Sequence, residues 1–467
     1  MTSTLIAPGT AIGKPAHRDP NVLRWLAAYT SSMVGDSVYY IALSWAAVQQ
    51  GSPAQAGAVM AVSAVPRALL MLGGGVIADR FGPRRVVIGS DLVRCAAGLS
   101  VAALLFLTSP GLWPLALLAV VFGTVDAVFM PAVGALPARV TTRDQLARVQ
   151  GMRGLAIRFA SVVGGPLGGL AVALGGAAAA FGLAGLLIAV SVPLLISVRM
   201  RELAVDDKAE AGGGSADAGD AGDAGEGAGG RGAAPGAAVL GAPDSEARGA
   251  PAPAPAPDKA SARPTTPLGD LKAGLRYIRA HRVLAPLMLA IALGDLGFVG
   301  PLNVGLTLLA DERGWGASGM GWVLSGFGVG AGAAALLLTV RGRLPHAGHV
   351  AGWAILAGSV AIGALAFVPG VPAAVGVALL VGLLAGLSGA LCGALLQTQA
   401  DPAYLGRVTA VSSLVSLGFA PLSMPLSAAA IGAWGTGPVF VGSAAVCGLG
   451  GVVALCVRDL RRAELPG

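Results

Sequence analysis

Charge is what this chain has least of. Of its 467 residues only 12% are charged and 55% are hydrophobic, and the mean hydropathy is +0.75. A soluble domain carries about 25% charged residues, so this composition excludes a chain kept in water by its own surface. Cysteine is scarce too. Cys95, Cys392, Cys447 and Cys456 lie in or near apolar runs without metal-ligand spacing, which leaves them as small packing residues. His346 and His349 share a helical face but have no third ligand nearby, so no metal site is expected. A GxxxxGK[ST] phosphate loop and a nucleophile elbow are both missing, so neither ATP-driven transport nor soluble-enzyme chemistry has residues to run on. The ~10-residue alternating segments that transmembrane β-strands need are absent as well.

What the chain has in abundance is long apolar runs, and crossing a ~30 Å hydrocarbon core takes about 20 such residues. Twelve segments qualify, at 22–48, 55–78, 86–108, 114–137, 151–174, 176–198, 283–309, 318–340, 350–368, 372–399, 408–431 and 436–457. Glycine and alanine are frequent inside them, as expected where helices associate by close approach rather than by hydrophobic driving force. The expected class is an all-α membrane protein of twelve transmembrane helices in two pseudo-symmetric six-helix halves. The lipid bilayer is its first partner.

The few basic residues fix the expected orientation. Arg80, Arg84 and Arg85 follow the second segment, Arg139, Arg143 and Arg148 the fourth, and Arg199 and Arg201 the sixth. Arg341 and Arg343 follow the eighth, Arg407 the tenth, and Arg458, Arg461 and Arg462 the twelfth. The opposite loops carry no charge except in "ADERGWGAS", which is net acidic. This alternation predicts arginine-rich loops and both termini in the cytoplasm. The net charge of +7 then reads as topology rather than as a nucleic-acid patch. Residues 1–20 lack an apolar core of the right length, so no cleavable signal peptide is expected there.

Composition also divides the chain. A short tail (1–21) precedes the first half (22–198), and a Gly/Ala/Asp and Pro-Ala tract (199–266) follows it. That tract cannot bury enough apolar surface to order itself. Residues 267–282 then put Leu268, Leu271, Leu275 and Ile278 on one face, which predicts an amphipathic helix lying on the inner leaflet. The second half (283–457) and a short tail (458–467) complete the chain. Three matches at one offset of 259 relate the halves: Gly35-Asp36 to Gly294-Asp295, "LARV" at 146 to "LGRV" at 405, and Pro166 to Pro425.

Between segments two and three, Gly75-x-x-x-Asp79-Arg80-x-Gly82 is followed by Arg84-Arg85. In a six-plus-six protein this resembles the signature loop of the major facilitator superfamily. "LPARVTTRDQLARVQG", "GLRYIRAH" and "LLQTQADPAYLGRV" further resemble its branch of bacterial enterobactin exporters and macrolide-efflux-like proteins. The resemblance implies alternating access, with Gly75, Asp79, Arg80, Gly82 and Arg84 as a gate that holds the cytoplasmic side shut. Asp401-Pro402 would cap segment eleven and receive Asp79. "SVVGGPLGG", with Gly165, Pro166, Gly168 and Gly169, partly resembles the family's antiporter motif in span five. Proline and glycine there also suit a kink and plain close packing.

Charges inside spans are expensive and usually functional. Asp36 and Arg67 lie at equal depth in adjacent antiparallel segments and are expected to pair, as are Asp126 and Arg158. No basic residue in segment eight stands opposite Asp295, which makes that carboxyl the first candidate for proton coupling or for a cationic substrate. Tyr39, Tyr40, Trp45, Phe298, Asn303 and Gln397 are the expected cavity residues, a mixture suited to an amphipathic organic molecule.

The expected function is therefore export of amphipathic small molecules (drug, antibiotic, siderophore or secondary metabolite). A monomer without cofactor would run it on the proton gradient. Ala/Gly-rich usage with arginine over lysine fits the cytoplasmic membrane of a GC-rich bacterium. An importer, an uncoupled facilitator and a non-transporting receptor or scaffold on the same fold stay open.

Overall fold

The structure, a computed structural model, describes residues 16–108, 110–142, 145–200, 267–341, 346–401 and 404–464. Its first six spanning helices are α1 (Pro20–Gln50), α2 (Pro53–Phe81), α3 (Pro83–Leu107), α4 (Trp113–Val140), α5 (146–174) and α6 (177–197). The next six are α7 (Leu284–Glu312), α8 (Gly316–Arg341), α9 (Ala347–Phe367), α10 (Val371–Gln399), α11 (Leu405–Trp434) and α12 (Thr436–Cys456). Chain and helix ends follow local chemistry. Ser52 and Gln55 form a capping box at the start of α2, with Pro53 in its first turn. Gly176, with φ of 68°, turns the chain between α5 and α6. The tract expected to be unstructured lies almost wholly outside the described residues.

The six-plus-six division appears in the packing. In the first half α1 runs between α5 and α6: Gly35 backs onto Ile188 and Ala184, while Gly164 and Gly168 back onto Ser37, Val38 and Ile41. Gly123 of α4 lies against the Ser63 carbonyl of α2, and Gly185 of α6 against Leu99 of α3. The second half repeats this. Gly297 of α7 meets Ser443 and Cys447 of α12, Gly300 of α7 meets Ser423 of α11, and Gly382 of α10 meets the Phe327 carbonyl of α8. Small residues at these crossings are what lipid-embedded helices use to approach closely.

The halves meet through two helix pairs. On α5, Gly165 and Gly169 face Gly321 and Ala317 of α8, and a Cβ at either would collide with the facing carbonyl. On α2, Gly57 lies against Ala428 and Met424 of α11, and Pro53 against Gly432. Gln49 of α1 adds a 2.7 Å hydrogen bond to Asp311 of α7. These contacts run from mid-helix to the end bearing the charge-poor loops. Toward the arginine-rich end, a Cβ at Gly151, Gly154, Gly332, Gly406 or Gly418 would meet nothing within 4 Å. A shorter helix, Pro267–Ala280, docks at the arginine-rich end of α11. There Tyr277 stacks on Tyr404 with ring centroids 4.4 Å apart, and Ile278 is buried. Helix α11 itself begins at Leu405 with Tyr404 at its cap position, later than the expected Asp401-Pro402 start. Pro402 lies outside the described residues, and the Asp401 amide donates to the Tyr277 hydroxyl.

Candidate functional site

The first half contains a buried ionic network built around a residue the sequence reading passed over. Asp91 and Arg94 stand three apart in "SDLVRC", which places both on one face of α3. The Arg94 side chain is 0% exposed. Its Nη1 donates to both oxygens of Asp36 at 2.9 and 2.8 Å and, at 3.4 Å, to Asp126. Its Nη2 donates to Asp91 at 2.7 Å, and the guanidinium lies 3.9 Å from the Phe129 ring centroid. Asp126 also accepts from Arg67 at 2.8 Å, and Arg67 donates in turn to the Tyr40 hydroxyl. Asp91 accepts from Ser32 at 3.1 Å and from Ser191. Three carboxyl groups thus share two guanidinium groups, so one carboxylate is uncompensated when all are ionised. Asp36 is the most accessible of the three, its side chain 15% exposed.

Both expected pairings differ from those observed. Asp36 pairs with Arg94 rather than Arg67, because α1 packs on α5 and α6 while α2 packs on α4. Arg67, on α2, consequently reaches Asp126 on α4. Arg158 stays half-buried on α5 and makes no ion pair among the described residues. Adjacency in sequence was the wrong guide to adjacency in the bundle. The paired charges at i and i+3 inside an apolar run were the usable signal.

A cavity of about 230 Å³ lies where the halves face each other. Ser37, Tyr40, Ser44, Ser161, Asn303 and Thr307 supply its polar groups, among Ile41, Met60, Leu302, Leu306, Met320 and Phe327. Of the expected cavity residues, Tyr40 and Asn303 line it. Tyr39 points into the first half and stacks on Phe122 at 3.7 Å, since neighbours on a helix diverge by about 100°. Trp45 packs half-buried in the core, and Gln397 is exposed on α10 away from the cavity. Through Tyr40 the cavity is wired directly to Arg67 and the ionic network.

Asp295 and Phe298 line a different pocket, of about 170 Å³, inside the second half. Helices α7, α9, α10 and α12 wall it with Ile291, Ile355, Gly358, Val381, Ala385, Ser388, Cys392 and Cys447. Asp295 accepts a 2.6 Å hydrogen bond from Ser416 of α11 and has no cationic partner among the described residues. Phe298 and Phe327, 5.8 Å apart, separate this pocket from the central cavity.

In the loop between α2 and α3, Gly82 adopts a φ of 82°, the left-handed turn that glycine tolerates. Arg84 donates to the Leu195 and Ile196 carbonyls of α6, within its own half, and Arg80 is exposed beside Phe81. Gly75 and Asp79 belong to α2, but their surroundings lie outside what is described. Pro166 sits within a continuous α5, and the motif's glycines serve two faces. Gly168 meets α1, whereas Gly165 and Gly169 meet α8. Among the described residues no group of three or more His, Cys, Asp or Glu side chains is placed to hold a metal.

Solved structures share this architecture at low identity. A D-xylose–proton symporter has 13% identity and a TM-score of 0.64, the match covering 95% of this chain and 99% of that one. A POT family transporter crystallised with a thioalcohol-conjugated peptide has 10% identity and a TM-score of 0.64, covering 95% and 96%. The nucleoside transporter NupG has 13% identity and a TM-score of 0.61, covering 95% and 100%. No curated protein matches the chain in sequence. The family model described as Major Facilitator Superfamily matches residues 25–416, well over half of the chain, and the chain belongs to that superfamily.

Proposed function

We infer that this transporter exports amphipathic small organic molecules, as the likeness to enterobactin and macrolide-efflux-like exporters implies, and exchanges them for protons. The observation that carries the reading is the connection of cavity to charge. A substrate in the central cavity touches Tyr40, whose hydroxyl accepts from Arg67, and Arg67 leads through Asp126 to Arg94 and Asp36. Asp36 is the more exposed acid in a network one positive charge short, so it takes the proton. A second site for the proton is Asp295, which is favoured by the absence of a cation beside it among the described residues.

With the arginine-rich loops in the cytoplasm of a bacterial cell, the contacts through Gly165, Gly169 and Gly57 close the external side. Arg84 holds to its own half in this state. The gate residues Asp79, Arg80 and Arg84 would bridge the halves in the opposite state, when the cavity faces outward.

The test is efflux of a lipophilic cationic dye from proteoliposomes under an imposed pH gradient. Gradient-driven export by the wild type, lost in Asp36→Asn and kept in Asp295→Asn, supports the N-half proton site. Loss only in Asp295→Asn moves the site to the second half. Dye movement that ignores the gradient in the wild type removes antiport and favours a facilitator.

A further inference from the structure

The two halves can be superimposed in sequence by their own packing. Helix α4 ends at Val140 and α10 at Gln399, and α6 ends at Ser197 and α12 at Cys456, each 259 apart. The α3–α9 correspondence follows from contacts with these helices. Gly185 of α6 meets Leu99, and its counterpart Ala444 of α12 meets Gly363, so α9 runs at an offset of 264. Helix α8 has the same offset, because Gly123 meets Ser63 where Gly382 meets Phe327. Five residues gained before α8 are lost again after α9.

With that register, the surroundings of Arg94 map one by one onto the walls of the second-half pocket. Asp36 corresponds to Asp295, Asp91 to Ile355, Asp126 to Ala385 and Phe129 to Ser388, and all four counterparts line the pocket. Arg94 itself corresponds to Gly358, also in the wall. The pocket is the space an arginine side chain fills in the first half. Its one carboxyl, Asp295, stands where Asp36 grips the guanidinium. The other two acids and the ring beneath the cation have become Ile355, Ala385 and Ser388. One carboxylate matches one positive charge, where the first half needs more.

We propose that this pocket binds a guanidinium-type organic cation, with the Asp295 carboxylate as its counter-ion. A planar, delocalised guanidinium is weakly hydrated and pairs with a carboxylate through two parallel hydrogen bonds, so it suits an apolar pocket with one acid. A volume of about 170 Å³ is close to the ~150 Å³ cavity that accommodates benzene in an engineered protein, which leaves room for methylguanidinium and little more. The depth fits as well. Asp295 and Gly358 each lie eleven residues in from the arginine-rich ends of α7 and α9, about 17 Å at 1.5 Å per residue. Ser416 of α11, which does not line the pocket, holds the Asp295 carboxyl by a 2.6 Å hydrogen bond.

Binding is measured on the full-length purified protein with radiolabelled methylguanidinium, and methylurea serves as the neutral isostere. The expected result is saturable binding of one equivalent per chain, displaced by guanidinium and not by methylurea. Asp295→Asn lowers the affinity tenfold or more. Gly358→Arg abolishes binding by placing a guanidinium in the pocket covalently, and a Cβ there meets only Leu384 at an ordinary 3.5 Å. Should that variant not accumulate, Ala385→Leu fills the same space with hydrocarbon. No saturable binding to the wild type, equal displacement by methylurea, or unchanged affinity in Asp295→Asn overturns the proposal. The readout needs no transport. A protein that binds methylguanidinium yet moves no dye sinks the antiport reading alone, and the reverse result sinks this one alone.

Discussion

Replacing Arg94 by methionine, an unbranched side chain that occupies much of the same space, isolates its charge. The wild-type guanidinium is fully buried and makes four hydrogen bonds to three carboxylates, at 2.7 to 3.4 Å. Without it, Asp36, Asp91 and Asp126 face one another with Arg67 as the remaining cation. Removing one partner of a buried ion pair costs about 3–5 kcal/mol, because the other partner stays buried and unpaired. For a unit the size of a six-helix half, each kcal/mol moves the unfolding midpoint by roughly 2–4 °C. Arg94→Met is therefore expected to lower Tm by about 6–20 °C in a detergent thermal-unfolding assay. Adding Asp36→Asn removes one of the stranded charges, so the double variant should be less destabilised than the sum of the singles, with a coupling of about 1–3 kcal/mol. Arg94→Lys, a point charge without the fork, should fall between. A Tm within a degree of wild type for Arg94→Met, or strict additivity with Asp36→Asn, would refute the network as a stabilising unit.

The remaining predictions touch the interface, the cavity and the docked helix. Gly169→Val drives a side chain into the Ala317 carbonyl and should hold the halves apart at the charge-poor end. An impermeant thiol reagent applied from that end should then label a Leu306→Cys reporter faster than in the Gly169 parent, and an unchanged rate counts against the interface. Tyr40→Phe takes away one of the two acceptors of Arg67, at about 1–3 kcal/mol, and it should uncouple dye efflux from the pH gradient before it abolishes dye binding. Loss of binding with coupling intact would reverse that assignment. A double-mutant cycle of Tyr277→Ala and Tyr404→Ala should yield about 0.5–1.5 kcal/mol of coupling for the stacked pair; zero coupling would mean the helix 267–280 is held by other contacts.

The two halves have diverged in opposite directions from one repeated plan. The first fills its interior with charge and aromatic surface: Arg94, Asp91 and Asp126, with Tyr39 stacked on Phe122. The second replaces these with Gly358, Ile355, Ala385, Phe298 and Val381 and keeps a pocket beside one acid. Burying an ion pair is costly unless the geometry satisfies every partner. The first half thus keeps an interior filled by buried charge, whereas the second leaves a pocket of about 170 Å³ beside its one acid.

Much of this was legible in the sequence for a simple reason. Crossing a membrane forces long apolar helices and leaves arginines in the loops of one side, so composition alone gave twelve spans whose ends fall within about five residues of the observed helices. The 259-residue repeat was legible too, since Gly35-Asp36 and Gly294-Asp295 occupy equivalent turns of α1 and α7. Which charges meet was not. Asp36 and Arg67 sit on consecutive helices, α1 and α2, but helices that follow one another are not the ones that pack closest. A guanidinium three residues from Asp91 on α3 reached Asp36 first. Tyr39 and Tyr40 are adjacent letters whose side chains leave the helix about 100° apart, so the bundle alone decided which of them lines the cavity. The apolar pattern sets what a helix must bury, and the packing of its neighbours sets what each buried charge can touch.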